Sequence, residues 1–449
     1  MILIKLVYSI LIIFIAGKSL LGLKPFNVKD ESPWIKCPLY FFAGTTVISL
    51  YMFVLSLLRF PFNIWIISLP FLIYLILLLP QIKLTQIDRP NFSHLDILIY
   101  LLIIVCASML INSLIVPIWS NDAYSIWLFK AKIFFAEKTI PFNIIFKDIF
   151  EYSHADYPLL APLNLAWISI CLGQWNDTLL GAFYALQYVL FVPLFYVSIR
   201  RYLNKLNASI AAFVLFSNKH ILEYAANGYS DLMLGMFIAI SVIFFVRWLD
   251  KNDARYLNIS SLFIGSAVFL KNDGFSPFLA LLILLAIYLT RSYLSKNASL
   301  KEITFAFYSF LGISLAIFLP FKIVVFTNSI SNQMISNVNV FATMAANLYR
   351  IPVIAQYFLY ELYLDTFSWQ YFWIILTLLV FLGRKRLFSS NIRYILYFSL
   401  ISLSFYFLVY MLTVLPLSYH LESSFHRLLI GLAPAAAFLA FSSSLMEEK

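Results

Sequence analysis

The chain has 449 residues, of which 62% are hydrophobic and only 12% are charged. A soluble globular protein carries about 25% charged residues, so this composition excludes a water-soluble globule. The 31 Lys and Arg exceed the 21 Asp and Glu to give a net charge of +10. In so apolar a chain that excess fits short loops and contact with anionic lipid, not nucleic acid.

Apolar runs long enough to cross a bilayer as helices recur along the whole chain. They predict an all-α polytopic membrane protein with about 13 transmembrane helices, within a range of 12 to 14. The expected spans are 2–22, 39–58, 62–79, 97–116, 178–199, 207–224, 230–249, 256–270, 275–291, 303–326, 369–383, 391–415 and 427–445. Met1 to Leu23 has no small-residue cleavage site after it and reads as a retained span. Two shorter apolar pieces, 158–172 and 353–366, carry or border prolines (Pro158, Pro162, Pro352) and polar residues (Asn164, Glu361, Asp365). They read as half-depth or surface helices, a form tolerated where protein or a cavity covers the backbone.

Lys and Arg set the orientation. The clusters are Lys24/Lys29/Lys36, Lys83/Arg89, Arg200/Arg201/Lys205, Arg247/Lys251/Arg255, Arg291/Lys296/Lys301 and Arg384/Lys385/Arg386/Arg393. All reach the cytoplasm only if an odd number of crossings separates Asp122 from Arg200. That parity is what demotes 158–172 to a half-helix. The outer face then receives 118–157, Asn227 to Asp231, Lys271 to Gly274, Thr327 to Tyr349 and Leu417 to Arg427. Long connections of this kind usually carry function. Cys37, Cys106 and Cys171 are far apart and have neither metal nor disulfide spacing.

In 118–157, a helix opening at Asp122 puts Tyr124, Trp127, Leu128, Ala131, Phe134 and Phe135 on one stripe. The expectation is an interfacial amphipathic helix in the first large outer loop. Asp122 at its first turn is either a helix-end charge favoured by the dipole or a functional carboxylate. Lys130 and Lys132 suit a lipid phosphate or simply anionic headgroups. Next comes Tyr152-Ser153-His154-Ala155-Asp156-Tyr157-Pro158. Asn227-Gly228-Tyr229-Ser230-Asp231 and Leu270-Lys271-Asn272-Asp273-Gly274 add carboxylates at span ends. Ser418 to Arg427 adds His420, Glu422, His426 and Arg427. For each, the plainer reading is a helix cap or an internal salt bridge. His154, His220, His420 and His426, with Asp122, Asp156 and Glu422, have the donor types for a divalent cation. No pair has the spacing of a metal motif, so a metal stays undecided and no cofactor is required.

The order of these features resembles bacterial GT-C-fold glycosyltransferases, relatives of the protein O-mannosyltransferases and of the lipid A aminoarabinose transferase. The resemblance rests on Asp122, Trp127 and Lys130-Ala131-Lys132, then His154-x-Asp156-Tyr157-Pro158-Leu159-Leu160-x-Pro162. Gly228-Tyr229-Ser230-Asp231, Lys271-Asn272-Asp273-Gly274 and His420…Ser424…Arg427…Pro434 complete it. It covers roughly 95–445, which implies N-terminal helices over 1–94 and a GT-C-like catalytic domain over 95–449. Three spans precede that core, and the first-loop carboxylate is single where many members have a pair. The resemblance implies a multi-pass enzyme of the bacterial inner membrane with its active site outward. It would move a sugar from a polyprenyl-phosphate donor to a glycan, lipid or protein acceptor of the cell envelope. Asp122 would be the general base. Lys130, Lys132, His154, Asp156, Tyr157, Asp231, Lys271, Asp273, His420 and Arg427 would bind donor phosphate or sugar. The competing reading is a lipid-linked sugar flippase. Such transporters tend to show inverted repeats and mid-bilayer charges, whereas here the charges gather at outer span ends and no repeat is evident.

Overall fold

The structure, a computed structural model, describes residues 1–78, 97–330 and 339–444. It is 82% helical, and the described residues contain no strand, as an all-α membrane protein requires. The Lys83/Arg89 cluster, the 94/95 boundary and part of the Thr327 to Tyr349 loop lie outside the described residues. Nine helices among the described residues are long and apolar enough to cross a bilayer. Each coincides with an expected span. The four remaining expectations fall on shorter apolar helices, Ile64–Leu78, Lys205–Phe216, Ala254–Leu270 and Phe372–Leu382.

Three boundaries differ from expectation, the first being that of the second helix, which begins at Pro33 and not at residue 39. The span expected over 207–224 is broken. Its first helix, Lys205–Phe216, stops at Ser217, and a second, Lys219–Ala226, begins two residues on. Asn218 makes the break, because its Oδ1 accepts from the His220 backbone N–H at 3.0 Å. That is the capping behaviour that favours Asn at a helix start over a helix interior. The last span begins at Leu417, not near residue 427. The polar stretch expected as an outer loop is therefore helical, and helical spacing puts His420, Ser424 and Arg427 on one face.

The chain forms two compact units. One comprises 1–153, 159–217 and 225–229; the other comprises 154–158, 218–224 and 230–449. In the first, helices Ile2–Leu21 and Pro33–Leu57 pack antiparallel. Their backbones touch where Gly17 meets Tyr40 and Gly44 meets Ile13, as small residues permit in lipid. That register places Ser49 beside residue 8.

The 13-residue helix Leu160–Leu172 hangs from this pair. Ser49 Oγ donates to the Leu160 carbonyl at 2.9 Å, Asn164 Nδ2 donates to the Thr45 carbonyl at 3.0 Å, and Trp167 Nε1 donates to the Ser9 carbonyl at 3.0 Å. Lys5 Nζ donates to the Leu172 carbonyl at 3.0 Å. From Leu160 to Trp167 the helix advances about 10 Å, yet its anchors stay within about one turn of the same level. Leu160–Leu172 is thus tied to both helices of the pair along its whole length.

The expected loop sides also pair up within each unit. Glu31 binds Arg201 at 2.6 Å, joining the Lys24 to Lys36 and Arg200 to Lys205 loops. In the second unit Asn391 Nδ2 donates to Asp250 Oδ1 at 2.8 Å, joining the Arg247 and Arg384 clusters. Asp250 closes the 21-residue helix that Asp231 opens. That length is about 30 Å, one hydrocarbon thickness. The basic clusters and the Asp231 motif thus occupy opposite ends of the second unit.

Candidate functional site

The site grows from one tight turn in the second unit. Helix Ala254–Leu270 ends at Lys271, whose backbone is extended, and a 3₁₀ turn over Asn272–Gly274 leads into helix Phe275–Leu294. The Gly274 N–H donates to the Lys271 carbonyl at 3.0 Å. A Cβ at Gly274 would collide with the Ala267 carbonyl, so the turn closes this tightly only around glycine. Its effect is to aim three polar side chains, Lys271, Asn272 and Asp273, away from two apolar helices.

Lys271 Nζ lies 2.7 Å from Asp231 Oδ1 and 2.7 Å from Asp273 Oδ2. Arg427 Nη2 reaches Asp231 Oδ2 at 3.3 Å. The Asp231 and Lys271 side chains are only 2% and 4% exposed, and charges so deeply buried persist only when paired. Burial favours the neutral amine of Lys271, but Asp231 and Asp273 outweigh it and hold its pKa above the ordinary lysine value. Lys271 is therefore a cation at any physiological pH.

Asp156 joins through Asn272, whose Nδ2 donates to Asp156 Oδ2 at 2.7 Å, while Lys322 Nζ donates to Asn272 Oδ1. His154 stacks on Tyr157 at 4.6 Å between ring centroids. Burial raises the Tyr157 pKa well above its usual value, so its hydroxyl stays protonated.

These groups edge a cavity of about 680 Å³. Its polar wall holds Tyr157, Lys271, Asn272, Asp273, Lys322 and Arg427. Its apolar wall includes Phe275, Phe278, Leu311, Leu315, Phe318 and Leu319. Three cations and one carboxylate face the cavity, and Asp231 and Asp156 are not part of its lining. The cations thus lie on the cavity side of the cluster, while two of the three carboxylates that balance them, Asp231 and Asp156, lie outside its lining. Tyr410 and Ser424 hydroxyls, 2.7 Å apart, and His420, whose Nδ1 is 2.8 Å from Thr413 Oγ1, close it on another side.

Of the residues expected from the sequence, Asp156, Tyr157, Asp231, Lys271, Asp273, His420 and Arg427 thus belong to this cavity or brace it, with His154 stacked behind Tyr157. His220 and His426 stand in a separate aromatic cluster. Their rings stack at 6.0 Å, and His426 Nε2 is 3.0 Å from the Tyr224 hydroxyl. Burial, then the neighbouring His426, lowers the His220 pKa. No group of three or more His, Cys, Asp or Glu side chains among the described residues is placed to hold a metal ion.

Asp122, Lys130 and Lys132 belong to the first unit. Asp122 is half-buried and precedes a π-helical turn, Ala123–Leu128, without capping it through its side chain. The turn continues into helix Phe129–Glu137. Of the expected stripe, Trp127, Leu128, Ala131 and Phe134 are buried, Phe135 is half-buried and Tyr124 is exposed. Helix Phe129–Glu137 packs on Leu160–Leu172. Lys130 is fully buried, whereas Lys132 is exposed with its ammonium 5.7 Å above the Trp175 ring.

Lys322, Asn272, Tyr406 and Tyr410 are among the lining residues that the sequence reading did not single out. Lys322 had a signal, because it is a lone cation inside an expected span, and such residues are functional by default. Asn272 had none beyond its motif.

Residues 156–323 match the model of the dolichyl-phosphate-mannose-protein mannosyltransferase family. No curated protein and no solved structure matches the chain. The matched stretch carries Asp156, Tyr157, Asp231, Lys271, Asp273 and Lys322, and it leaves Asp122 and Arg427 outside. This match supports a relationship to the GT-C-fold glycosyltransferases. At the coarse level this supports a multi-pass membrane glycosyltransferase that uses a lipid-linked sugar donor.

Proposed function

We propose that the protein transfers a sugar from a polyprenyl-phosphate donor to a cell-envelope acceptor on the outer face of the bacterial inner membrane. The cavity of the second unit carries this reading, because it joins a cationic wall to an apolar one. A polyprenyl phosphate has the complementary division, with a charged head on an insoluble tail. The family match at 156–323 adds the lipid-linked donor class.

The chemistry follows from the groups available. An acceptor hydroxyl attacks the anomeric carbon of the bound sugar, and the bond to the lipid phosphate breaks. Asp122 takes the hydroxyl proton as general base. The departing polyprenyl phosphate gains negative charge, and the Lys271 and Arg427 cations stabilise it as that charge develops. A single displacement inverts the anomeric centre. On this reading Tyr157, Asp273 and His420 hold sugar hydroxyls. The acceptor is a glycan, lipid or protein of the envelope.

The test uses membranes carrying the full-length protein, supplied with a polyprenyl-phosphate sugar. Wild type should consume the donor and release polyprenyl phosphate. Asp122→Asn should abolish that turnover at unchanged protein level. Full turnover by Asp122→Asn removes it as the base, and a wild type inert toward a panel of such donors removes the transferase reading.

A further inference from the structure

Helix Leu300–Thr327 presents an unusual face to the cavity. Leu311, Leu315, Phe318, Leu319 and Lys322 all line it, and their spacing puts them on one side of the helix. Four apolar residues in succession end in an ammonium. From Leu311 to Lys322 the stripe runs about 16 Å along the axis.

The ammonium differs from the other cations of the site. Lys271 touches two carboxylates and Arg427 touches one. Among the described residues, Lys322 has no carboxylate within ion-pair distance, and its hydrogen bond goes to the neutral Asn272 amide oxygen. Asn272 is itself oriented, because its other amide atom donates to Asp156. Lys322 is thus a mostly buried cation whose nearest carboxylate, Asp156, acts on it across Asn272 and not by direct contact. A bound anion would supply a contacting counter-charge, and a charge-assisted contact of that kind is among the stronger polar interactions.

The apolar part of the stripe has an opposite wall and an exit. Phe278 packs edge-to-face on Phe318 at 5.3 Å between centroids. Phe275 and Leu319 both line the cavity, yet are 45% and 39% exposed. The cavity therefore opens at the protein surface between Phe275–Leu294 and Leu300–Thr327.

We propose that this helix is the rail on which the donor lipid lies. Lys322 contacts the phosphate, Asn272 held by Asp156 positions the ammonium, and the Leu311 to Leu319 stripe carries the first isoprene units toward the bilayer. Lys271 and Arg427, tied to Asp231, then shape the field around the head without being its first contact. This proposal rests on the polyprenyl-phosphate reading above.

The experiment measures binding of a polyprenyl phosphate, and of the uncharged polyprenol of equal length, to the purified full-length protein in nanodiscs. Wild type should prefer the phosphate. Lys322→Met should weaken phosphate binding about tenfold or more, the scale of one charge-assisted hydrogen bond, and leave polyprenol binding unchanged. Lys322→Arg should restore the preference. Leu315→Trp, which fills the stripe, should weaken both lipids alike. A Lys322→Met protein that keeps the full phosphate preference overturns the head assignment. If that variant does not fold, Leu315→Trp still decides, since unchanged binding of both lipids overturns the rail. A wild type that binds neither lipid brings down the donor reading itself, a result distinct from wild-type binding with unaffected variants.

Discussion

At the first turn of its helix, Asp231 is buried and shared between Lys271 and Arg427. Removing its charge takes one carboxylate from Arg427 and leaves Lys271 with Asp273 alone, and breaking a buried ion pair costs about 3–5 kcal/mol. Asp231→Asn should therefore lower the thermal unfolding midpoint of the detergent-purified protein, whereas Asp253→Asn, at the half-exposed Asp253–Arg255 pair, should change it far less. The Lys271 pKa is raised in the folded protein. Its contribution to stability is thus fully present below the unfolded value of about 10.5 and is lost as pH rises through the folded value. Unfolding midpoints should show no loss from this group up to about pH 10 and fall beyond it, and Lys271→Met should remove that alkaline step. A step that survives in Lys271→Met would assign it to another group.

Among the elements, Leu160–Leu172 distinguishes one topology from another. Its anchors to Ser49, Ser9 and Lys5 hold it to the first helix pair. With Leu160–Leu172 at half depth, residues 138 and 203 should fall on opposite sides of the membrane, with helix Asp177–Ile199 as the odd crossing between them. Cysteines placed there, in a chain freed of its own reactive cysteines, should be modified by an impermeant reagent from opposite faces. Modification of both from one face would make Leu160–Leu172 a full crossing. The Lys271 to Gly274 turn makes a second claim at this scale. Gly274→Ala would force the turn away from the Ala267 carbonyl. Donor turnover should drop more than stability, because the substitution moves Lys271, Asn272 and Asp273 together.

Across the whole molecule, periodicity and charge already determined the class. Long apolar runs must be helices in lipid, where the backbone has no other hydrogen-bond partner, so the spans were legible one by one. So was the pairing of basic loops, because positive charge stays on one side. The order of polar motifs pointed to the family that the match at 156–323 then supported. Span ends were less legible. Asn218 interrupts an apolar run with a local hydrogen bond, and Leu417–Ser444 absorbs a polar stretch because one of its faces looks into a cavity. Neither is visible in hydropathy, which averages around a helix. Tertiary structure alone decided which charges meet. Asp231, Lys271 and Arg427 are far apart in sequence, and nothing local tells a carboxylate which cation will desolvate with it. It also decided that Lys322 faces the same cavity as the Lys271 turn. A lone lysine in a span announces a function, but only the packing of helices around it says which.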